Sequence, residues 1–313
     1  MPLTAEQVEA RRHGLGGSDA SAIVGVNPYR GPLDVWARFH LPTEHVESAP
    51  ARWGNLLEPA VCEEYAHREG VKLRTVEASV RHPEHPWMLA NPDRLVVGAR
   101  RGLEAKTAGI RQAARWGEGD GSEPGDVPDE YRIQCHHYMA VFDYDEWDVA
   151  ALIGGQDFRV YRLHRDLEME EMLIEAEREF WERYVVTGRQ PPADASPNAE
   201  EWAGRLYPRN TLPPVEATDE RVAAALEYDR ARAATDVAEE QKRAASARLR
   251  ALIADSEGFR WGAKNKATWT NNKDGIAVDW ESVAREIGAP EELVQKHTHV
   301  KPGPRVLRVA VKE

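Results

Sequence analysis

The sequence predicts an α/β protein, from two kinds of pattern that alternate along the chain. Apolar residues recur at helical spacing in Leu56, Leu57, Ala60, Val61 and Tyr65, and again in Met172, Leu173, Ala176, Phe180 and Trp181. Between them lie short β-rich runs closed by Gly-rich turns, at 95–106 and at 148–163. A third pattern, almost uninterrupted Ala/Glu/Arg/Leu from Asp219 to Ile253, predicts a long helix or helical hairpin that stands apart from the rest.

In order, residues 4–12 predict a short helix, with Thr4 placed to cap it and Glu6 in its first turn. Glycines follow at 14, 16 and 17, and Ser18 or Asp19 can cap a helix whose exposed N–H groups favour an anion, with Arg12 supplying charge. An ordinary capped loop fits the same residues. Residues 55–69 predict a helix with Pro59 in its first turn, where proline is tolerated. Asn55 and Glu58 have the spacing of a capping box. One strand is expected around Arg74 to Val80, then a hairpin from Leu95 to Lys106. The segment 117–128 is rich in Gly, Pro and Asp and predicts a mobile loop, and a helix opens at Pro128. A hairpin over 148–163 and a helix over 166–185 complete the expected main domain, residues 1–190. Residues 191–214 are proline-rich and predict a linker. Beyond it, 215–313 predicts the long helical element, two short strands around Gly258–Gly262 and Ala267–Thr270, a helix over 279–287 and a strand over 306–311.

Composition narrows the function classes. The chain has 313 residues, enough for a sizeable core, with 30% charged and 42% hydrophobic residues. No apolar run is long enough to span a bilayer, and the first residues lack the basic-then-apolar order of a signal peptide. Cys62 and Cys135 are the only cysteines, which predicts no disulfide framework, a reducing cytoplasm, and no four-cysteine iron–sulfur cluster. A formal net charge of −12 argues against a uniformly basic nucleic-acid coat, so any DNA contact must be local or enclosing.

The candidate chemistry centres on Pro92-Asp93 and Glu104-Ala105-Lys106. Strand alternation puts Glu104 and Lys106 on one face, and the hairpin brings Asp93 to the same end. Carboxylates held together raise each other's pKa, and a hard divalent cation with oxygen ligands relieves this. A solvated hairpin edge is the competing reading. Gln134 and Tyr138 are four apart and share a helix face. His82 and His85 sit among prolines without other ligands nearby in sequence and receive no role. Cys135, His136 and His137 are adjacent and cannot face one ion together from a helix, so Cys135 is expected buried. Arg111, Arg115 and Trp116 suit either DNA contact or a solvated face.

Arg12 with Gly14-Leu15-Gly16-Gly17-Ser18-Asp19, then Gly25-Val26-Asn27-Pro28-Tyr29 and Trp36, resembles the opening of the YqaJ-type viral recombinases, relatives of lambda exonuclease. Trp53-Gly54-Asn55-Leu56-Leu57-Glu58-Pro59, the Asp93/Glu104-x-Lys106 set of PD-(D/E)xK nucleases, and Gln134-x-x-x-Tyr138 follow in the family's order. The resemblance covers roughly residues 9–185 and implies a restriction-endonuclease-like core, a central mixed sheet flanked by helices. It implies Mg²⁺, or Mn²⁺ in its place, held by Asp93, Glu104 and the Ala105 carbonyl, with Glu58 helping to hold a second ion. Lys106 would position or deprotonate the water and screen the phosphate, Gln134 would orient the lysine or the water, and Tyr138 would pack or hydrogen-bond nearby. Arg12 and Ser18 would bind a terminal 5′-phosphate. The implied activity is resection of double-stranded DNA ends, 5′ to 3′, for a single-strand annealing protein, by a homo-oligomeric ring of three subunits. An endonuclease of the same fold and a non-catalytic DNA-binding scaffold are the alternatives. The Ala-Thr-Trp and Val-Asp-Trp pattern of residues 267–280 is similar to a tail found on some YqaJ-type proteins.

Overall fold

The computed structural model describes residues 4–42, 48–261 and 265–270, with isolated positions between 283 and 296. The helix expected over 279–287 lies largely outside the described residues, and the strand expected over 306–311 lies wholly outside them. The chain divides into two compact units, Met1–Leu206 and Tyr207–Glu313.

In the first unit the helices are α1 (Ala5–Ala10), α2 (Gly17–Ile23), α3 (Pro32–His40), α4 (Ala49–Glu69), α5 (Asp129–Phe142), α6 (Leu167–Phe180) and α7 (Ala199–Leu206). The strands are β1 (Leu15–Gly16), β2 (Leu73–Arg74), β3 (Val80–Arg81), β4 (Met88–Ala90), β5 (Arg94–Val96), β6 (Arg101–Ala108), β7 (Glu146–Ile153) and β8 (Asp157–His164). The main sheet runs β2-β5-β6-β7-β8, with β6 and β7 parallel and the other neighbours antiparallel. This is the central mixed sheet expected. A smaller sheet, β1-β4-β3, lies beside it in the same unit.

Strand alternation sorts the main sheet into two faces. On one, Val96, Leu103 and Ala150 pack under Val61, Cys62 and Tyr65 of α4. On the other, Leu95, Val149, Ala151 and Ile153 pack under Cys135, Tyr138 and Met139 of α5. Both faces of β7 are therefore apolar, as a strand buried between two helices requires. Burying these side chains is the main stabilising contribution, about 1.5–3 kcal/mol for each large one.

Several elements depart from expectation for local reasons. Ser48 caps α4 through the Ala51 N–H, seven residues before Asn55, and Pro59 sits inside the helix. Asn55 and Glu58 therefore do not form a capping box. Neither Ser18 nor Asp19 is the N-cap of α2: Gly16 is, and its N–H donates to the Asp19 carboxylate at 2.9 Å. The single strand expected around 74–80 is two short strands in different sheets. The 117–128 loop is pinned rather than loose: buried Asp126 accepts from the Gly121 N–H, and its carbonyl accepts from Gly117. Trp116 is buried, stacked on Tyr131 and Tyr161, and belongs to the core, not to a DNA-facing surface. The linker read over 191–214 is in part structure, because Asn198 and Trp202 beside and within α7 both donate to Asp34 of α3.

In the second unit, the Ala-rich stretch forms one uninterrupted helix, α8 (Asp219–Ile253), capped by Thr218. The two short strands are β9 (Gly258–Trp261) and β10 (Asn265–Thr268), an antiparallel hairpin. Among the described residues no helix is long and apolar enough to cross a membrane.

A buried ion pair ties α5 to α6. His137 and Glu177 are both 0% exposed, with Nδ1 2.8 Å from the Glu177 carboxylate and Nε2 2.9 Å from the Leu89 carbonyl. Both ring nitrogens face acceptors, so the imidazolium form satisfies both. Burial opposes that charge, but the Glu177 carboxylate and the Leu89 carbonyl outweigh it and hold His137 above its ordinary value of 6.5. A raised histidine contributes stability that is present below the unfolded pKa and lost as pH rises through the folded one. Glu177→Ala is expected to cost about 3 kcal/mol in urea unfolding near neutral pH. Its stability should also lack the wild type's decline as pH climbs above 6.5.

Candidate active site

The hairpin β5–β6 positions the site. Arg94 pairs with Leu103 and Leu95 with Gly102, which aligns Asp93 with the end of the strand that carries Glu104 and Lys106. Asp93 Oδ2 accepts from the Ala105 N–H at 2.7 Å. Glu104 and Lys106 alternate with Leu103 and Ala105, which face α4, and so point toward α5. There Glu104 Oε1 accepts from Lys106 Nζ at 2.5 Å and from Gln134 Nε2 at 2.7 Å. Lys106 Nζ also lies 3.4 Å from Gln134 Oε1. Gln134 Nε2 is 3.1 Å from the Tyr138 hydroxyl, which in turn donates to the Asn91 carbonyl at 3.3 Å. Lys106, Glu104, Asp93, Gln134 and Tyr138 thus form one connected group, from residues far apart in sequence.

Its electrostatics are unbalanced toward negative charge. Burial, then Glu104, then Glu58 push the Asp93 carboxyl well above the usual carboxylate range. Burial works against charge on Lys106, yet Glu104 and Asp93 hold its ammonium above the ordinary lysine value. Tyr131 adds to this, its ring 4.6 Å from Lys106 Nζ. Glu104 Oε2 is buried without a hydrogen-bond partner. An orphaned carboxylate oxygen beside a second carboxyl group forced toward protonation fits a hard cation.

Glu58 is on α4 and lines one pocket with Asp93 and Arg94. Its Oε1 accepts from Arg94 Nη1 at 3.0 Å, with both side chains nearly buried. Among the described residues, no three acidic, histidine or cysteine side chains stand together as a ready metal-binding group. Arg94 was not singled out in the sequence. Alternation could have found it, since the residue opposite Leu103 must face α4 and hence Glu58.

Arg12 and Ser18 are not brought together. Arg12 is 71% exposed at its side chain and pairs with Glu9 at 3.1 Å. The tight 3₁₀ turn Arg11–His13 turns the preceding residue inward instead, and Arg11 Nη2 donates to Ser18 Oγ at 3.3 Å. Arg11, Arg30 and Arg38 surround buried Asp19 at 3.8, 3.1 and 2.8 Å. Burial would raise the Asp19 pKa, but Arg38, Arg11 and Arg30 more than offset it and hold the carboxyl below its ordinary range. Three guanidinium groups against one carboxylate leave this corner positive. It adjoins the α5 network through Gly17, where an added Cβ would stand 2.7 Å from Tyr138 Cε1 and 3.0 Å from the Gln134 carbonyl.

Residues 6–145 match the YqaJ-like viral recombinase domain. That stretch is similar to the YqaJ-like family. The uncharacterized protein YqaJ of Bacillus subtilis (strain 168) is 38% identical over 201 residues, 63% of this chain. The match spans 61% of that relative's own length. Among solved structures, the alkaline exonuclease LHK-Exo from Laribacter hongkongensis is similar over 65% of this chain and 100% of its own, at 17% identity and a TM-score of 0.47. A phage-related exonuclease from Haemophilus somnus 129PT is similar over 56% of this chain and 96% of its own, at 12% identity and a TM-score of 0.37.

The contact at Gly17 makes the register of α2 against α5 testable. Gly17→Ala is expected to destabilise the fold by about 1–3 kcal/mol in urea unfolding, because backbone and ring cannot both give way.

Proposed function

We propose that the YqaJ-like unit is a metal-dependent deoxyribonuclease of the PD-(D/E)xK type that shortens double-stranded DNA from its ends. The observation that carries this reading is the shared Glu104 carboxylate: one oxygen bonded to Lys106 and Gln134, the other buried without a partner beside Asp93. A scaffold gains nothing from holding that charge together.

Mg²⁺, with Mn²⁺ as substitute, fits Asp93, Glu104 and the Ala105 carbonyl, a set of hard oxygens. Bound there, it would supply a more acidic water and neutralise charge on the phosphate. The chain's own groups do the rest. Lys106, kept protonated by Glu104 and Asp93, donates to the attacking water and to a phosphate oxygen. Gln134 holds Glu104 and Lys106 in one arrangement from the side, and Tyr138 fixes Gln134 by bonding it and Asn91 together. Tyr131 keeps the ammonium from swinging away from the phosphate.

The positive corner supports an end-directed reading. Arg11 and Ser18 offer a guanidinium and a hydroxyl for a terminal 5′-phosphate, and Gly17 lets that corner sit against α5. Arg11 takes the role that the family pattern would give Arg12. Cleavage from 5′ to 3′, a three-subunit ring around the duplex, and a single-strand annealing partner in the cytoplasm follow from the family resemblance. A ring would also reconcile DNA capture with a net charge of −12.

Lys106→Ala is expected to lower degradation of linear duplex DNA under Mg²⁺ roughly 10³-fold in a protein that still folds. Full activity in that variant would contradict a catalytic lysine. Covalently closed circular DNA should survive where linear DNA is lost, and cutting of the circle would favour the endonuclease. Arg11→Ala should abolish the preference for 5′-phosphorylated over 5′-hydroxyl ends, whereas Arg12→Ala should leave it intact.

A further inference from the structure

The two sides of the β5–β6 hairpin each carry a carboxylate and a cation. On the face toward α4, Arg94 bonds Glu58 at 3.0 Å. On the face toward α5, Lys106 bonds Glu104 at 2.5 Å. The separation is set by strand alternation. Arg94 lies directly opposite Leu103 and shares its face with Val96, and both of those pack against α4. Glu104 is the next residue along and must point the other way. Asp93 stands at the strand end between the two pairs, and both Glu104 and Glu58 act on its carboxyl group.

Resting on the nuclease reading above, we propose that Arg94 is the permanent cation of Glu58, and that the site takes one divalent ion, on the Asp93–Glu104 side, rather than two. The guanidinium is tied at two points, to Glu58 Oε1 and to the backbone carbonyl of Asp93, and only 12% of its side chain is exposed. It cannot move away to admit a second ion without leaving both acceptors. A divalent ion bound by Glu58 would stand beside a fixed positive charge in a site of low dielectric, where like charges repel strongly.

The charge balance points the same way. Once an ion is bound, the carboxylates of Glu58, Asp93 and Glu104 stand against the cations of Arg94 and Lys106, a balance of one negative charge before the ion itself is counted. One divalent ion and one phosphodiester bring the assembly to neutrality. A second divalent ion would leave it doubly positive in a largely buried site. Glu58 then serves to hold Arg94, and Arg94 serves to fix the Asp93 backbone from which the ligand carboxylate projects.

The test counts ions instead of activity. Mn²⁺ bound per chain is measured by electron paramagnetic resonance on the full chain saturated with a non-hydrolysable phosphorothioate duplex. The wild type is expected to bind one ion. Glu58→Gln should also bind one, with its Kd changed by less than about tenfold. Arg94→Gln should gain a second ion, and the double variant Glu58→Gln/Arg94→Gln should return to one. Two ions in the wild type, with one lost in Glu58→Gln, would overturn the proposal. So would a single ion in a folded Arg94→Gln. If Arg94→Gln does not fold, the wild type and Glu58→Gln decide alone. No ion bound at all, with DNA in place, would instead defeat the nuclease reading itself.

Discussion

Everything in the first unit depends on the burial of β6 and β7 as a parallel pair between two helices. Each strand must present apolar side chains to both α4 and α5 along most of its length. Toward α4, Leu103 and Ala105 of β6 obey it and Arg101 is paired with buried Asp148, while Glu104 and Lys106 place charge under α5. Buried charge is expensive unless paired. The lysine, the glutamine of α5 and a nearby aromatic ring supply the pairing, and one carboxylate oxygen is left over.

The surroundings read as supports for that cluster. Tyr138 and Gln134 stand one turn apart on α5, so a single helix face fixes both. The helix is in turn held by α2 through a glycine too close to its neighbours to be anything larger, and by α6 through the buried His137–Glu177 pair. The positive corner around Asp19 belongs to the same scaffold. Asp19 gathers three arginines from three separate segments, and a buried carboxylate is what lets guanidinium groups approach one another.

Much of this was legible in the sequence, and the failures have physical causes. Asp93, Glu104, Lys106, Gln134 and Tyr138 were readable through the resemblance to the family's motifs, and period-2 and period-3.6 spacing stated which of them share a face. Both cysteines are buried and unpaired, as their small number implied. Arg11 rather than Arg12 meets Ser18 because a 3₁₀ turn shifts the facing residue by one, and nothing in the residue types of Arg11-Arg12-His13 announces that turn. The start of α4 was set too late because Ser48 and Pro50, not Asn55, carry the starting signal. α7 was hidden by a proline-rich composition, and only its tertiary partner Asp34 reveals why it folds there. Arg94 went unnoticed because a basic residue beside an acidic one looks ordinary until its strand partner is known.

The central claim is that Glu104 and Asp93 form one half of a metal site. It is tested most directly by anomalous X-ray scattering from crystals grown with Mn²⁺ and a duplex end. A peak within bonding distance of Glu104 Oε2 and the Asp93 carboxylate is expected. A peak elsewhere in the unit, or none with DNA present, would contradict it.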